Sequence, residues 1–82
     1  MKATLYGKGV DLAFVLTFLQ VDKRLRQEGF EFTHARGSHH HYKHPDTGKR
    51  VVVPRPSRKK DSIPIGTLRN IYRQAGWDWT DR

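Results

Sequence analysis

Apolar residues recur along this chain in two different rhythms. Phe14, Phe18, Val21 and Leu25 form one stripe at helical spacing, and Leu12, Val15, Leu16 and Leu19 form a second beside it. The pattern predicts a helix from Asp11, which suits an N-cap, to Glu28, with Gly29 as its stop. The first half of this helix is apolar on most sides and must be covered. The cover is residues 1–10, another protein, or a second copy of the chain meeting Leu12, Phe14, Val15 and Phe18. Phe30-Glu31-Phe32-Thr33 then alternates apolar and polar, as a half-buried strand does. Gly37-Ser38 reads as a turn and His39 to His44 as a second strand. Pro45-Asp46-Thr47-Gly48 is hairpin-turn chemistry, and Val51 to Val53 is a third strand ended by Pro54 and Pro56. The helical rhythm returns at Ile65, Leu68, Ile71, Tyr72 and Ala75, with Pro64 suited to the first turn and Gly76 to the stop. The predicted order is α-β-β-β-α, an α+β fold with a three-stranded antiparallel sheet and two helices on one face.

At 82 residues the chain is one domain with a thin core. It has no cysteine, so no disulfide or thiolate metal site can staple it. The run Leu12 to Leu19 is far short of the ~20 apolar residues that span a bilayer. It would suit a signal peptide, but Gln20-Val21-Asp22-Lys23-Arg24 offers no small-residue cleavage site. The expectation is a cytoplasmic protein with no membrane partner.

Charge changes the picture. The formal net charge is +8, and it is uneven. Between Arg36 and Lys60, eight Lys and Arg residues stand against Asp46 alone. The same stretch holds His39, His40, His41 and His44. The His run lies mid-chain between two strand segments, so it is read as native sequence and not as a tag. Concentrated cations suit phosphate backbones, and imidazole alone titrates near neutral pH without help.

Strand parity divides the histidines. Tyr42 is the large apolar residue of the second strand and is expected to face the helices, with His40 and His44 on its side. His39, His41 and Lys43 take the open face. A metal-free ribonuclease needs a base for the 2′-hydroxyl proton, an acid for the leaving 5′-oxygen, and cations beside the phosphate. Arg36, Lys43, Arg55 and Lys59 are candidates for the cations, and His41 for a phosphate contact. His39 has a plainer reading as a turn residue bonded to local backbone, and His40 as a half-buried ring with a satisfied nitrogen. His34 and His44 read as passive. His39 and His41 could both reach one metal ion, but a native site wants a third ligand and dense positive charge repels a dication. No metal and no cofactor are expected.

The chain resembles HicA toxins, the mRNA interferase half of HicA–HicB toxin–antitoxin modules. The resemblance rests on Gly29-Phe30, on Gly37-Ser38-His39-His40-His41-Tyr42-Lys43-His44-Pro45, on Val51-Val52-Val53-Pro54, and on the run from Ile63 to Gly76 containing Gly66-Thr67-Leu68-Arg69. It implies a double-stranded-RNA-binding-domain-like fold and a family core over residues 17–77, with 1–16 additional. It implies metal-independent cleavage of mRNA by a single histidine after Gly-Ser. That is His39, with His40 as the second choice. It also implies neutralisation by a HicB-type antitoxin. Three departures stand out: the added residues 1–16, Arg55-Pro56 where many members carry a histidine after Val-Pro, and the bulky tail Trp77-Asp78-Trp79. The alternative function is a non-catalytic RNA-binding module of the same fold, which would read phosphates through Lys and Arg and need no open-face histidine.

Overall fold

The computed structural model describes residues 15–58 and 61–80. Five elements run through them: α1 (Phe18–Gln27), β1 (Glu31–Arg36), β2 (His39–Lys43), β3 (Arg50–Pro54) and α2 (Ile65–Ala75). This is the expected α-β-β-β-α order of a double-stranded-RNA-binding-domain-like fold. No helix among the described residues is long and apolar enough to cross a membrane.

The helix α1 begins later than the apolar rhythm suggests. Thr17 Oγ1 accepts from the Gln20 amide at 3.2 Å, and Gln20 Oε1 accepts from the Thr17 amide at 2.8 Å. This reciprocal capping box satisfies two otherwise orphaned donors and fixes the first turn at Phe18. Val15 and Leu16 precede the helix in non-helical chain. The Ile63 amide donates to the Leu16 carbonyl at 2.8 Å, tying this entry segment to the stretch before α2. Asp11, Leu12 and Phe14 lie outside the described residues. Phe18 is only 5% exposed and packs into this chain's own core, so it is not free to meet a second copy. Val15 and Leu19 remain exposed.

The sheet is antiparallel with order β1-β2-β3. Both helices cover one face of it. Val21 and Leu25 of α1 and Leu68, Ile71, Tyr72 and Ala75 of α2 join Tyr42, Val51 and Val53 in a single buried cluster. The β1 strand is an edge and is exposed along its whole length. Its pairing shifts between Phe32 and His34, leaving Thr33 as the extra residue of a bulge. Phe30 is in the core, while Phe32, on the same side and packed against Tyr42 and His40, is 40% exposed at the sheet's edge. The opposite edge is blunted, because the Val52 amide donates to Gln74 Oε1 from α2 at 2.9 Å.

Two contacts close the fold. The Trp77 indole donates to Glu28 Oε1 at 2.7 Å, and the Arg24 guanidinium lies 4.0 Å from a Trp77 ring centroid. The tail is thus bulky because part of it is core. At the end of α1, Gly29 has φ +97°, and a Cβ there would lie 2.8 Å from His44 Nε2. The His44 ring accepts the Asp46 and Thr47 amides at Nδ1 and meets the Glu28 carbonyl at Nε2, 3.1 Å away. It staples the turn to the helix.

Candidate functional site

Alternation along β2 sends its side chains to two faces. Tyr42 points to the helices and is fully buried, with its hydroxyl donating to Asp22 Oδ1 at 2.5 Å. Burial, followed by that hydrogen bond and the Asp22 charge, raises the phenol above its ordinary pKa. Asp22 is fixed from its other side by Arg26 Nε, at 3.0 and 3.1 Å from the two carboxylate oxygens.

His40 shares the helix side with Tyr42 but sits nearer the turn that joins β1 to β2. It is half-buried there, edge-on to Phe18 with ring centroids 4.9 Å apart, and tilted against Phe32 at 5.4 Å. Among the described residues, no hydrogen bond engages its ring. The chain leaving β3 is strapped to the same turn, because the Arg55 amide donates to the Ser38 carbonyl at 2.7 Å. This bond carries the Arg55 guanidinium to 5.7 Å from the Phe18 ring centroid.

The result is an open cleft of about 570 Å³ lined by Gly37, Ser38, His40, Arg55, Pro56 and Ser57. A second depression of about 210 Å³ adjoins it, and His40 and Arg55 line both. Desolvation and then the Arg55 charge hold His40 below the ordinary histidine pKa, with Asp22 opposing them. At neutral pH the ring is therefore chiefly uncharged. It can accept a proton beside a cation fixed by backbone.

The open face carries a separate group. His41 stacks on His34, which pairs with it across β1, and His39 stands opposite Arg36. Thr33 Oγ1 donates to the His41 carbonyl at 3.1 Å and lies 2.9 Å from His34 Nδ1, so the bulge residue fixes this pair. Partial desolvation, then the charges of His34, His39, Arg36 and Arg50, push His41 below its ordinary pKa.

The expected site residues therefore divide. His40 and Arg55 meet in the cleft. His39, His41, Arg36 and Lys43 lie on β1 and β2, with His39, Arg36 and Lys43 exposed to solvent. Lys59 lies outside the described residues. Sequence reasoning passed over Ser57, Phe32 and Asp22 as neighbours of His40. Asp22 carried one signal: it is the only acid between Asp11 and Glu28, four residues before Arg26. Among the described residues no three His, Cys, Asp or Glu side chains converge as metal ligands would.

No curated protein matches this chain. Residues 20–77 match the family model described as the HicA toxin of bacterial toxin–antitoxin. That stretch runs from the capping glutamine of α1 to the tryptophan that closes the fold, and it contains the whole cleft. The chain belongs to the HicA toxin family, whose members are paired with an antitoxin.

Proposed function

We propose that this protein is a metal-independent endoribonuclease acting on messenger RNA in the cytoplasm, with His40 as its base. The observation that carries this reading is the pairing of His40 and Arg55 in one cleft. A chiefly neutral imidazole beside a fixed guanidinium suits transfer within a phosphodiester. His40 takes the proton of a 2′-hydroxyl, whose oxygen attacks the phosphorus. The bond to the 5′-oxygen breaks as that oxygen takes a proton from water in the open cleft, leaving a 2′,3′-cyclic phosphate and a 5′-hydroxyl. Arg55 stabilises the charge that gathers on the non-bridging oxygens. Tyr42 is buried against Asp22 and His41 lies on the other face, so neither is placed to protonate the leaving oxygen in this cleft. This reading takes His40, the second choice of the sequence, as the base in place of His39. His39, with Arg36, Lys43 and His41, contributes a cationic face for the RNA backbone.

An antitoxin of the HicB type neutralises the toxin on this reading by covering the cleft. The open cleft mouth and its positive surroundings suit an acidic partner surface.

The test uses wild type, His40→Ala and His39→Ala with a labelled mixed-sequence RNA in excess EDTA. Products are resolved on a gel and their ends are identified. Cleavage by wild type and His39→Ala, ending in cyclic phosphate, with a loss of about 10²–10⁴-fold in His40→Ala, is the expected result. Loss in His39→Ala alone would return the base to the open face. Tight RNA binding without cleavage by wild type would leave the non-catalytic binding module.

A further inference from the structure

The depression beside the cleft has no part in the proton transfer proposed above. It is bordered by Phe18, Leu19 and Phe32 together with Asp22 and Arg26, and it joins the cleft through His40 and Arg55. Its volume of about 210 Å³ is below the ~300–1,000 Å³ typical of pockets for drug-sized ligands, and is on the scale of one ring system. Phe32 and Leu19 are 40% and 50% exposed, so the depression presents an apolar rim to solvent.

We propose that this depression is a subsite for one unstacked nucleobase next to the scissile phosphate, stacked on Phe32 and read by Asp22. The inference rests on the ribonuclease reading for which phosphate lies next door. Single-stranded RNA is recognised by splayed bases that stack on aromatic rings and guanidinium planes and bond along their edges. Both kinds of surface are present. Phe32 and His40 form a tilted aromatic wall, and Arg55 bridges from the Phe18 ring to the cleft.

Asp22 supplies the edge contact. A carboxylate has about four lone-pair positions and only accepts. Oδ1 takes the Tyr42 hydroxyl and Arg26, and Oδ2 takes Arg26 alone, which leaves one acceptor position on Oδ2. The double tether fixes the carboxylate rather than letting it swing into solvent. An acceptor of this kind selects a base bearing an exocyclic amino group. Uracil offers a single N–H, flanked by two carbonyl oxygens that repel a carboxylate. The cytosine amino group stands at a corner of the ring and meets no such repulsion. The subsite therefore prefers cytosine to uracil, two rings of the same size that differ at this group.

The experiment measures binding of short 2′-O-methyl cytidine and uridine oligomers to the intact protein by fluorescence anisotropy. These oligomers lack the attacking hydroxyl and cannot be cut. Wild type should bind the cytidine oligomer about tenfold more tightly. In Asp22→Asn the Tyr42 hydroxyl still finds an oxygen and an amide N–H replaces the free acceptor, so the preference should vanish or invert. Phe32→Ala should weaken both oligomers about tenfold while leaving their ratio unchanged. Circular dichroism melts confirm that each variant is folded. Equal binding of the two oligomers by wild type would overturn the subsite. So would an unchanged ratio in Asp22→Asn, or no effect of Phe32→Ala, as expected if this patch docks a protein instead. Discrimination by a wild type that cuts no ordinary RNA would remove the nuclease and leave the subsite standing.

Discussion

The His34 and His41 imidazoles lie stacked across β1 and β2, with centroids 4.3 Å apart and planes 11° from parallel. Two neutral rings tolerate this geometry, whereas two cations in it repel. Desolvation and the neighbouring charges already push His41 below its usual value, and desolvation and Arg55 do the same to His40. A lowered histidine pKa means that the unfolded chain takes up the proton first. The folded protein therefore holds its full stability above about pH 6.5 and loses some as pH falls through 6.5 toward the folded values. Bound phosphates act in the opposite sense, because they favour the charged rings. Affinity for uncleavable RNA should rise between pH 7.5 and 5.5 at fixed salt, while the melting temperature of the free protein falls. A flat affinity profile in anisotropy titrations would show that the open face does not touch RNA.

Arg55 should matter to rate more than to binding. Its guanidinium stands at the cleft, whereas many other cations remain to hold the RNA backbone. Arg55→Ala should lower single-turnover cleavage by about 10²–10³-fold with a small change in affinity. Arg55→Lys keeps the charge but loses the fork, so it should recover only part of the rate. Equal loss of rate and affinity would make Arg55 a backbone contact.

Gly29 is held to glycine twice over, by φ +97° and by the His44 ring. Gly29→Ala should cost about 1–3 kcal/mol in urea denaturation. A change below about 0.5 kcal/mol would mean that the turn and His44 move aside without strain.

Thr17→Ala removes one half of the capping box and leaves the Gln20 amide without its acceptor. The expected loss is about 1 kcal/mol, or a fall of roughly 4–8 °C in melting temperature for a domain of this size. RNA binding should be unchanged, since the cap lies apart from the cationic face. A variant as stable as wild type would place the real start of α1 elsewhere.

Much of the architecture is legible in the amino-acid order. Pro64 and Gly76 bracket α2 because one cannot continue a helix backward and the other readily takes the left-handed cap, at φ +79°. Tyr42, Val51 and Val53 alternate into the core as strand parity requires. The start of α1 lies at Phe18 and not after Asp11, because Thr17 with Gln20 three residues further on forms a capping box that the apolar rhythm alone does not reveal. Alternation places Phe32 on the helix side, against Tyr42 and His40, but one strand's pattern does not say that the strand will be the sheet's exposed edge. The site divides along the same line. Parity separates His39 from His40, the first exposed and the second half-buried against Phe18. The Arg55–Ser38 backbone bond that closes the cleft continues the β2–β3 ladder one pair beyond His39 and Pro54; what no local pattern announces is the Arg55 guanidinium turning back over the Phe18 ring.

That bond also sets when during synthesis the protein can become dangerous. A nascent chain that has emerged only as far as β2 already carries four of its five histidines, yet it has no cleft. The second wall arrives with Arg55, and Val51 and Val53 stay wet until α2 follows and covers them. On the ribonuclease reading proposed above, the chain stays inert beside the ribosome that makes it until α2 is out. An antitoxin has that interval in which to be ready.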